Sequence, residues 1–171
     1  MGAKVLMDVQ EYLHTSFEHD CDYLDGEIVE RPMPEFAHSD TQGNMYRLLW
    51  RYRPKFGIRI GAEIRIQITP TRFRVADIAV WRDDSAGMGL PTSPPFLAIE
   101  ILSPEDRMVR VAPKIQEYLS IGVEWVWVID PLERAALCYS QAEPEGAPCT
   151  VLRTENPKIE IPLESAFDLD A

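Results

Sequence analysis

Three features of this sequence predict an α/β fold, a mixed sheet flanked by helices. Apolar residues alternate without a break over 58–68, and a second extended run returns over 73–81. Two stretches that are apolar on both faces, 96–102 and 125–129, enclose a helical pattern. That is the arrangement of a βαβ unit, whose two strands lie parallel.

Taken in order, residues 7–16 carry Val9, Tyr12 and Leu13 near helical spacing, with Phe17 just beyond, and predict a short helix. Asp25-Gly26 lies between Tyr23-Leu24 and Ile28-Val29, a hairpin signal because both turn residues tolerate positive φ; Pro32 and Pro34 end it. Ser39 or Asp40 is suited to cap a helix running to Tyr52, with Met45, Leu48, Leu49 and Tyr52 on one side and Pro54 as its stop. Across 58–68, Ile58, Ile60, Ala62, Ile64, Ile66 and Ile68 face one way, and Arg59, Glu63, Arg65 and Gln67 the other. Thr69-Pro70-Thr71 turns the chain, and a polar loop rich in Gly and Pro fills 82–95. Pro113 fits the first turn of a helix that runs to Ile121 and closes at Gly122. The tail, 134–171, reads as one or two short strands joined by a polar loop at 141–148.

The 171 residues fit one domain spanning 1–171, and 46% hydrophobic residues are enough to bury a core. No apolar run approaches the ~18–20 residues of a membrane span, and the first ten residues lack a signal-peptide core. Cys21, Cys138 and Cys149 are odd in number and share no CxxC spacing, which suggests neither a disulfide framework nor a zinc knuckle. The expectation is a soluble, cytoplasmic protein with no membrane partner. The net charge of −11 is unevenly spread: −8 over residues 1–46, +7 over 47–82 and −10 over 83–171. Overall acidity argues against non-specific coating of nucleic acid, whereas the central block allows one cationic face. That block is either a phosphate-facing rim or a set of solvated arginines.

Two carboxylates stand out. Asp77 interrupts a strand of Val, Ala and Ile, and Glu100 interrupts Leu-Ala-Ile-Glu-Ile-Leu. A carboxylate in a buried strand is costly unless a cation or hydrogen-bond donors satisfy it. If the two strands are neighbours, the pair offers hard oxygen ligands to a divalent cation, and Lys114 on the next helix returns toward the sheet. Two acids and a lysine can hold Mg²⁺, polarise a phosphodiester and position an attacking water. The alternative is a buried acid–arginine pair that only fixes the fold.

The run Glu100-Ile-Leu-Ser-Pro, then Lys114, Tyr118, Gly122-Val123 and Trp125-Val-Trp-Val-Ile-Asp-Pro131, resembles the Uma2 (DUF820) family of endonucleases. Upstream, Tyr23-Leu-Asp-Gly-Glu-Ile-Val-Glu30, His38-Ser39 and Ala76-Asp77-Ile-Ala-Val80 extend the resemblance over residues 8–140. The family is placed in the PD-(D/E)xK superfamily, which implies a restriction-endonuclease-like fold and hydrolysis of DNA with Mg²⁺ (or Mn²⁺). By that resemblance Asp77 and Glu100 hold the metal together with the backbone carbonyl of Ile101. The lysine expected two residues after Glu100 is absent, because position 102 is Leu, and Lys114 takes its place. Ala76 stands where the motif has Pro. Glu27 corresponds to an additional acid that reaches the metal or orients water; otherwise it is an exposed hairpin charge. His38 is a candidate for phosphate contact or proton transfer, against a simpler role in the helix start. Ser103 is expected to donate to Glu100, and Tyr118 to hydrogen-bond in the site or simply pack.

The sequence therefore leads to a metal-dependent endonuclease acting on DNA, with catalytic residues Asp77, Glu100, Lys114, Glu27 and His38. A rim that includes Arg47, Arg51 and Arg74 is expected to meet the phosphate backbone. Uncovered apolar residues on the 125–129 strand and the N-terminal hairpin point to a homodimer. The alternatives are a catalytically weak or inactive nuclease-fold binding module and an acidic protein-interaction domain.

Overall fold

The computed structural model describes residues 6–82, 89–104 and 108–168. Helix α1 (Val9–His14) opens at Asp8, whose side chain accepts from the Gln10 amide. Strands β1 (Asp22–Leu24) and β2 (Glu27–Val29) form the expected hairpin, with Asp25 at φ 52° and Gly26 at φ 102°. Helix α2 (Phe36–Trp50) starts ahead of Ser39 and Asp40, which lie inside it and do not cap it. Pro54 opens a further turn, α3 (Arg53–Phe56), where a stop was expected; proline is well placed in a first turn because its missing N–H has no partner there.

Strand β3 (Ile58–Thr69) pairs antiparallel with β4 (Arg72–Arg82). β5 (Leu97–Ile101), α4 (Met108–Ser120) and β6 (Trp125–Asp130) form the βαβ unit, with β5 and β6 parallel as expected. Pro113 lies inside α4, not in its first turn, so Lys114 sits mid-helix. The tail holds more structure than its polarity suggests: β7 (Ala135–Ser140), β8 (Ala147–Pro148), and a separate hairpin of β9 (Val151–Glu155) and β10 (Lys158–Pro162). Of the loop expected at 82–95, residues 83–88 lie outside the described residues.

The main sheet runs β2-β1-β4-β5-β6-β7-β8, with β3 on the other edge of β4. One face packs Ile78, Val80, Leu97 and Ile99 against Met45 and Leu49 of α2 and Leu152, Ile159 and Ile161 of the tail hairpin. The other packs Ala79, Trp81, Ala98 and Val126 against Val111, Ile115 and Tyr118 of α4. A third cluster seats Tyr12 of α1 on Tyr23 and Phe73. The isoleucine stripe of β3 does not face one core as expected. Ile58 and Ile60 join the α2 layer, whereas Ile64, Ile66 and Ile68 join the α4 layer. The change falls at Glu63, which adopts a left-handed backbone at φ 50°.

Strand β6 is covered within the chain: Val126, Trp127, Val128 and Ile129 are all buried. Of the two segments on which the dimer expectation rested, this strand and the N-terminal hairpin, the strand is therefore covered by the chain itself. No helix among the described residues is long and apolar enough to cross a membrane.

Contrary to the cysteine-spacing reading, Cys138 on β7 and Cys149 just after β8 form a disulfide, and Cys21 is free and buried. The antiparallel pairing of Cys138 with Ala147 carries Cys149 back beside its partner, a proximity invisible in linear spacing. Structural disulfides persist mainly in oxidising surroundings, so cysteine usage does not support the cytoplasmic expectation. Alkylating the unfolded, unreduced protein should label Cys21 alone, and all three cysteines after reduction. Reduction should lower stability by on the order of 2–3 kcal/mol in urea melts. Three labelled cysteines before reduction would refute the bridge.

Candidate active site

The site lies where the sheet forks. Along one edge of β4, β1 pairs with Arg72 and Phe73, and β5 pairs with Ile78, Ala79 and Val80. Between them the two neighbouring strands diverge, and the backbone of β4 turns to side chains. The Val75 amide donates to Asp22 Oδ1 at 2.8 Å, and the Val75 carbonyl accepts from Lys114 Nζ at 2.8 Å. A buried backbone group without a partner would be costly, so the fork selects charged residues that a continuous sheet would exclude.

Asp77 stands at the end of this gap. The β4–β5 register that pairs Ile78 with Ile99 carries on to set Asp77 beside Glu100. Asp77 Oδ2 accepts from the Ile101 amide at 2.6 Å and lies 3.4 Å from His38 Nε2, while Oδ1 accepts from Arg31. Glu100 accepts from Lys114 Nζ through Oε2 at 2.8 Å and from the Tyr118 hydroxyl through Oε1 at 2.7 Å. Lys114 and Tyr118 are one turn apart on α4, so one helix face delivers both. From the opposite layer, Gln42 of α2 donates to the Asp77 carbonyl at 2.9 Å. Arg31, His38, Gln42, Asp77, Glu100 and Lys114 line a cleft of about 470 Å³.

Of the residues singled out in the sequence, Asp77, Glu100, Lys114 and His38 line this cleft, and the Ile101 amide holds Asp77. Glu27 does not: β2 carries it away from the cleft, and Glu30 and Arg31, just past the strand, line it instead. Ser103 lines the cleft, but its hydroxyl has no partner among the described residues; Tyr118 makes the bond to Glu100 expected of it. Arg47 and Arg51 are exposed on and just after α2, away from the cleft. Arg74 lines the cleft yet is buried and committed to Asp22 and Glu117, which rules out the free phosphate contact expected of it. Three more arginines of the basic block are also committed to carboxylates of the chain, though Arg72 and Arg82 stay partly exposed. Arg65 grips Asp20 and the carbonyls of Tyr12 and Thr15, Arg72 holds Asp25 and Glu117, and Arg82 holds Glu124.

Among the cleft residues that escaped the sequence reading are Asp22, Arg31 and Glu63. Glu63 falls between the Ala62–Ile78 and Ile64–Ala76 pairs, across from Asp77, because a bulge between Gln67 and Thr69 shifts the register by one. A register counted from the Pro70-Thr71 turn alone would have set Ile64 there. Arg31 then bridges the two acids, binding both Glu63 and Asp77, and no sequence signal marks it.

The electrostatics separate the two carboxyls. Burial pushes Asp77 upward, but the His38 hydrogen bond and the Arg31 and Lys114 charges outweigh it and hold the carboxyl below its ordinary value. Burial pushes Glu100 up to about 7, against the pull of Lys114 and with help from the Asp77 charge. His38 is held above its ordinary value, because the hydrogen bond and charge of Asp77 overcome burial. Since the folded value of Glu100 exceeds its ordinary 4.5, its contribution to stability is full below pH 4.5 and is lost as pH rises through about 7. Asp77 acts in the opposite sense, its contribution fading as pH falls below 3.8. Across the Glu100 window, the stability difference between Glu100→Gln and wild type should move in favour of the variant by on the order of 2–4 kcal/mol. Urea melts at pH 5 and pH 8 check this, and a constant difference would mean that Glu100 is ionised throughout.

Among solved structures, five chains match. One is the crystal structure of "a putative nuclease belonging to DUF820" from Anabaena variabilis ATCC 29413, 22% identical, with a TM-score of 0.78 over 94% of this chain and 97% of that one. At that identity the likeness concerns the fold, which the two share. No curated protein matches the chain. A family model named Uma2 and described as "Putative restriction endonuclease" matches residues 9–171. With nearly its whole length matched, this chain belongs to the Uma2 family.

Proposed function

We propose that this protein is a metal-dependent endonuclease that hydrolyses phosphodiester bonds in DNA. The observation that carries the reading is the juxtaposition of Asp77 and Glu100 at the sheet fork, with the Lys114 ammonium bonded to Glu100. The family description and the fold shared with a DUF820 protein point the same way.

The donor set fits Mg²⁺ or Mn²⁺. Among the described residues no three His, Cys, Asp or Glu side chains form a cluster able to hold a metal ion. The chain would therefore supply two carboxylates and the Ile101 carbonyl, all hard oxygens. Mg²⁺ suits such a partial set because it retains water and takes other ligands from its substrate. When bound, such an ion supplies Lewis-acid stabilisation of phosphoryl oxygen and a more acidic water.

The remaining roles fall to the protein. The Ile101 amide and His38 fix one oxygen of Asp77, and Tyr118 fixes one oxygen of Glu100, so both carboxylates are held in place before any ligand arrives. Lys114, bonded to Glu100, would be the ammonium that neutralises charge developing on a phosphate. Arg47 and Arg51, exposed and outside the cleft, are proposed as outlying contacts to the DNA backbone.

One observation favours a second reading, the inactive binding module. Both carboxylates are already neutralised within the chain, Asp77 by Arg31 and Glu100 by Lys114. Metal binding separates the two readings. Under the nuclease reading, isothermal titration with Mn²⁺ should reveal binding that Asp77→Asn and Glu100→Gln each abolish. Lys114→Ala should lower plasmid cleavage by roughly 10²–10³-fold while changing Mn²⁺ affinity little. Absence of Mn²⁺ binding at millimolar concentration would favour the binding module. Replacing Arg47 and Arg51 together by Glu should weaken DNA binding and reduce the slope of log affinity against log salt by roughly 2; an unchanged slope would remove them from the interface.

A further inference from the structure

The cleft holds two cations in different ways. Lys114 is fixed: its ammonium is shared between Glu100 and the Val75 carbonyl, and its side chain is 10% exposed. Among the described residues Arg31 is held by two acids, Glu63 and Asp77, and it comes from the irregular segment between β2 and Pro32. Its side chain is 16% exposed against 3% for Asp77, so it covers the buried acid from the solvent side. The bonding of Asp77 is likewise divided. Oδ2 is engaged by the Ile101 amide and His38, whereas among the described residues Oδ1 accepts from Arg31 alone.

We propose that Arg31 is an exchangeable counter-ion, tethered by Glu63, that occupies Asp77 Oδ1 until a divalent cation displaces it. This rests on the metal-dependent reading of the cleft and adds the step that reading leaves out. A buried carboxylate cannot stay ionised without a partner, so a metal-free cleft needs an internal cation. A guanidinium on an irregular segment meets that need and can still leave. Glu63 keeps the displaced arginine nearby, and Gln42, donating to Glu63 Oε1 at 2.7 Å, orients the tether. The apparent metal affinity is then the intrinsic one reduced by the fraction of time the arginine is away. Arg31 thereby sets a threshold of metal concentration and acts as a positioning residue, since its effect passes through Asp77.

The test is calorimetric titration of the full metal-free chain with Mn²⁺, which requires no turnover. Arg31→Ala should bind Mn²⁺ roughly tenfold more tightly than wild type, as expected if the arginine blocks the site about nine-tenths of the time. Arg31→Lys, which keeps the charge but loses the fork, should give a smaller gain, and Glu63→Gln should also tighten binding by loosening the tether. Asp77→Asn should abolish binding whether or not Arg31 is present. If Arg31→Ala fails to fold by circular dichroism, Arg31→Lys and Glu63→Gln carry the test. Unchanged or weaker Mn²⁺ affinity in the Arg31 variants, with binding still dependent on Asp77, would overturn the counter-ion and leave the nuclease reading standing. Weaker binding in Glu63→Gln would overturn the tether, and binding indifferent to Asp77→Asn would overturn both readings.

Discussion

The organising constraint in this protein is the cost of burying charge inside a sheet. Asp77 and Glu100 stand on adjacent central strands, and each would be expelled or neutralised without compensation. Compensation arrives from four places around them: the Ile101 amide from β5, His38 from α2, Lys114 and Tyr118 from α4, and Arg31 from beyond β2. The fork between β1 and β5 makes room for these groups, and it leaves backbone on β4 that needs them. A seamless sheet would hold hydrophobic residues at these positions and would have no cleft.

The same principle governs the wider charge distribution. A block of positive charge in an acidic sequence invites a reading as a binding face, yet Arg65 and Arg74 turn inward to carboxylates distant in sequence, and Arg72 and Arg82 pair with others nearer the surface. Arg65 illustrates the preference: it also stacks on Tyr12, 4.1 Å from the ring centroid, and so fastens α1 to β3. Exposed ion pairs contribute little to stability, but partly buried ones that satisfy backbone carbonyls fix where elements dock. The acidity of the cleft then has a consequence for any anionic substrate. Its approach depends on cations at the site itself, whether protein-borne or bound.

Much of the architecture was legible in the chain. The Asp-Gly hairpin, the long β3–β4 pair, the doubly apolar β5 and β6 and the helix closed by Gly122 all follow from local chemistry that the tertiary structure respects. Reading failed where polarity hid a structural role. The tail hairpin of β9 and β10 was underestimated because its buried residues, Leu152, Thr154, Ile159 and Ile161, are separated by charged ones. Ser39 and Asp40 looked like caps, although α2 had already begun. Within the site, an isolated acid in an apolar strand is a strong signal, which is how Asp77 and Glu100 stood out. An arginine in an irregular segment, or a glutamate on a polar strand face, has no such contrast with its neighbours.

What the sequence determined by itself is the set of strands and helices and the two misfit carboxylates, because hydrophobic periodicity and turn residues act over a few neighbouring positions. What only the tertiary structure decided is which charges meet. A one-residue bulge places Glu63, not Ile64, across from Asp77, and the end of β2 brings Arg31 between them. The fork in the sheet turns Arg74 into a wall and Lys114 into a site residue. Such pairings depend on register and on crossings between elements far apart in the chain, and a single sequence records neither, because a shift of one residue changes every neighbour without changing the local pattern.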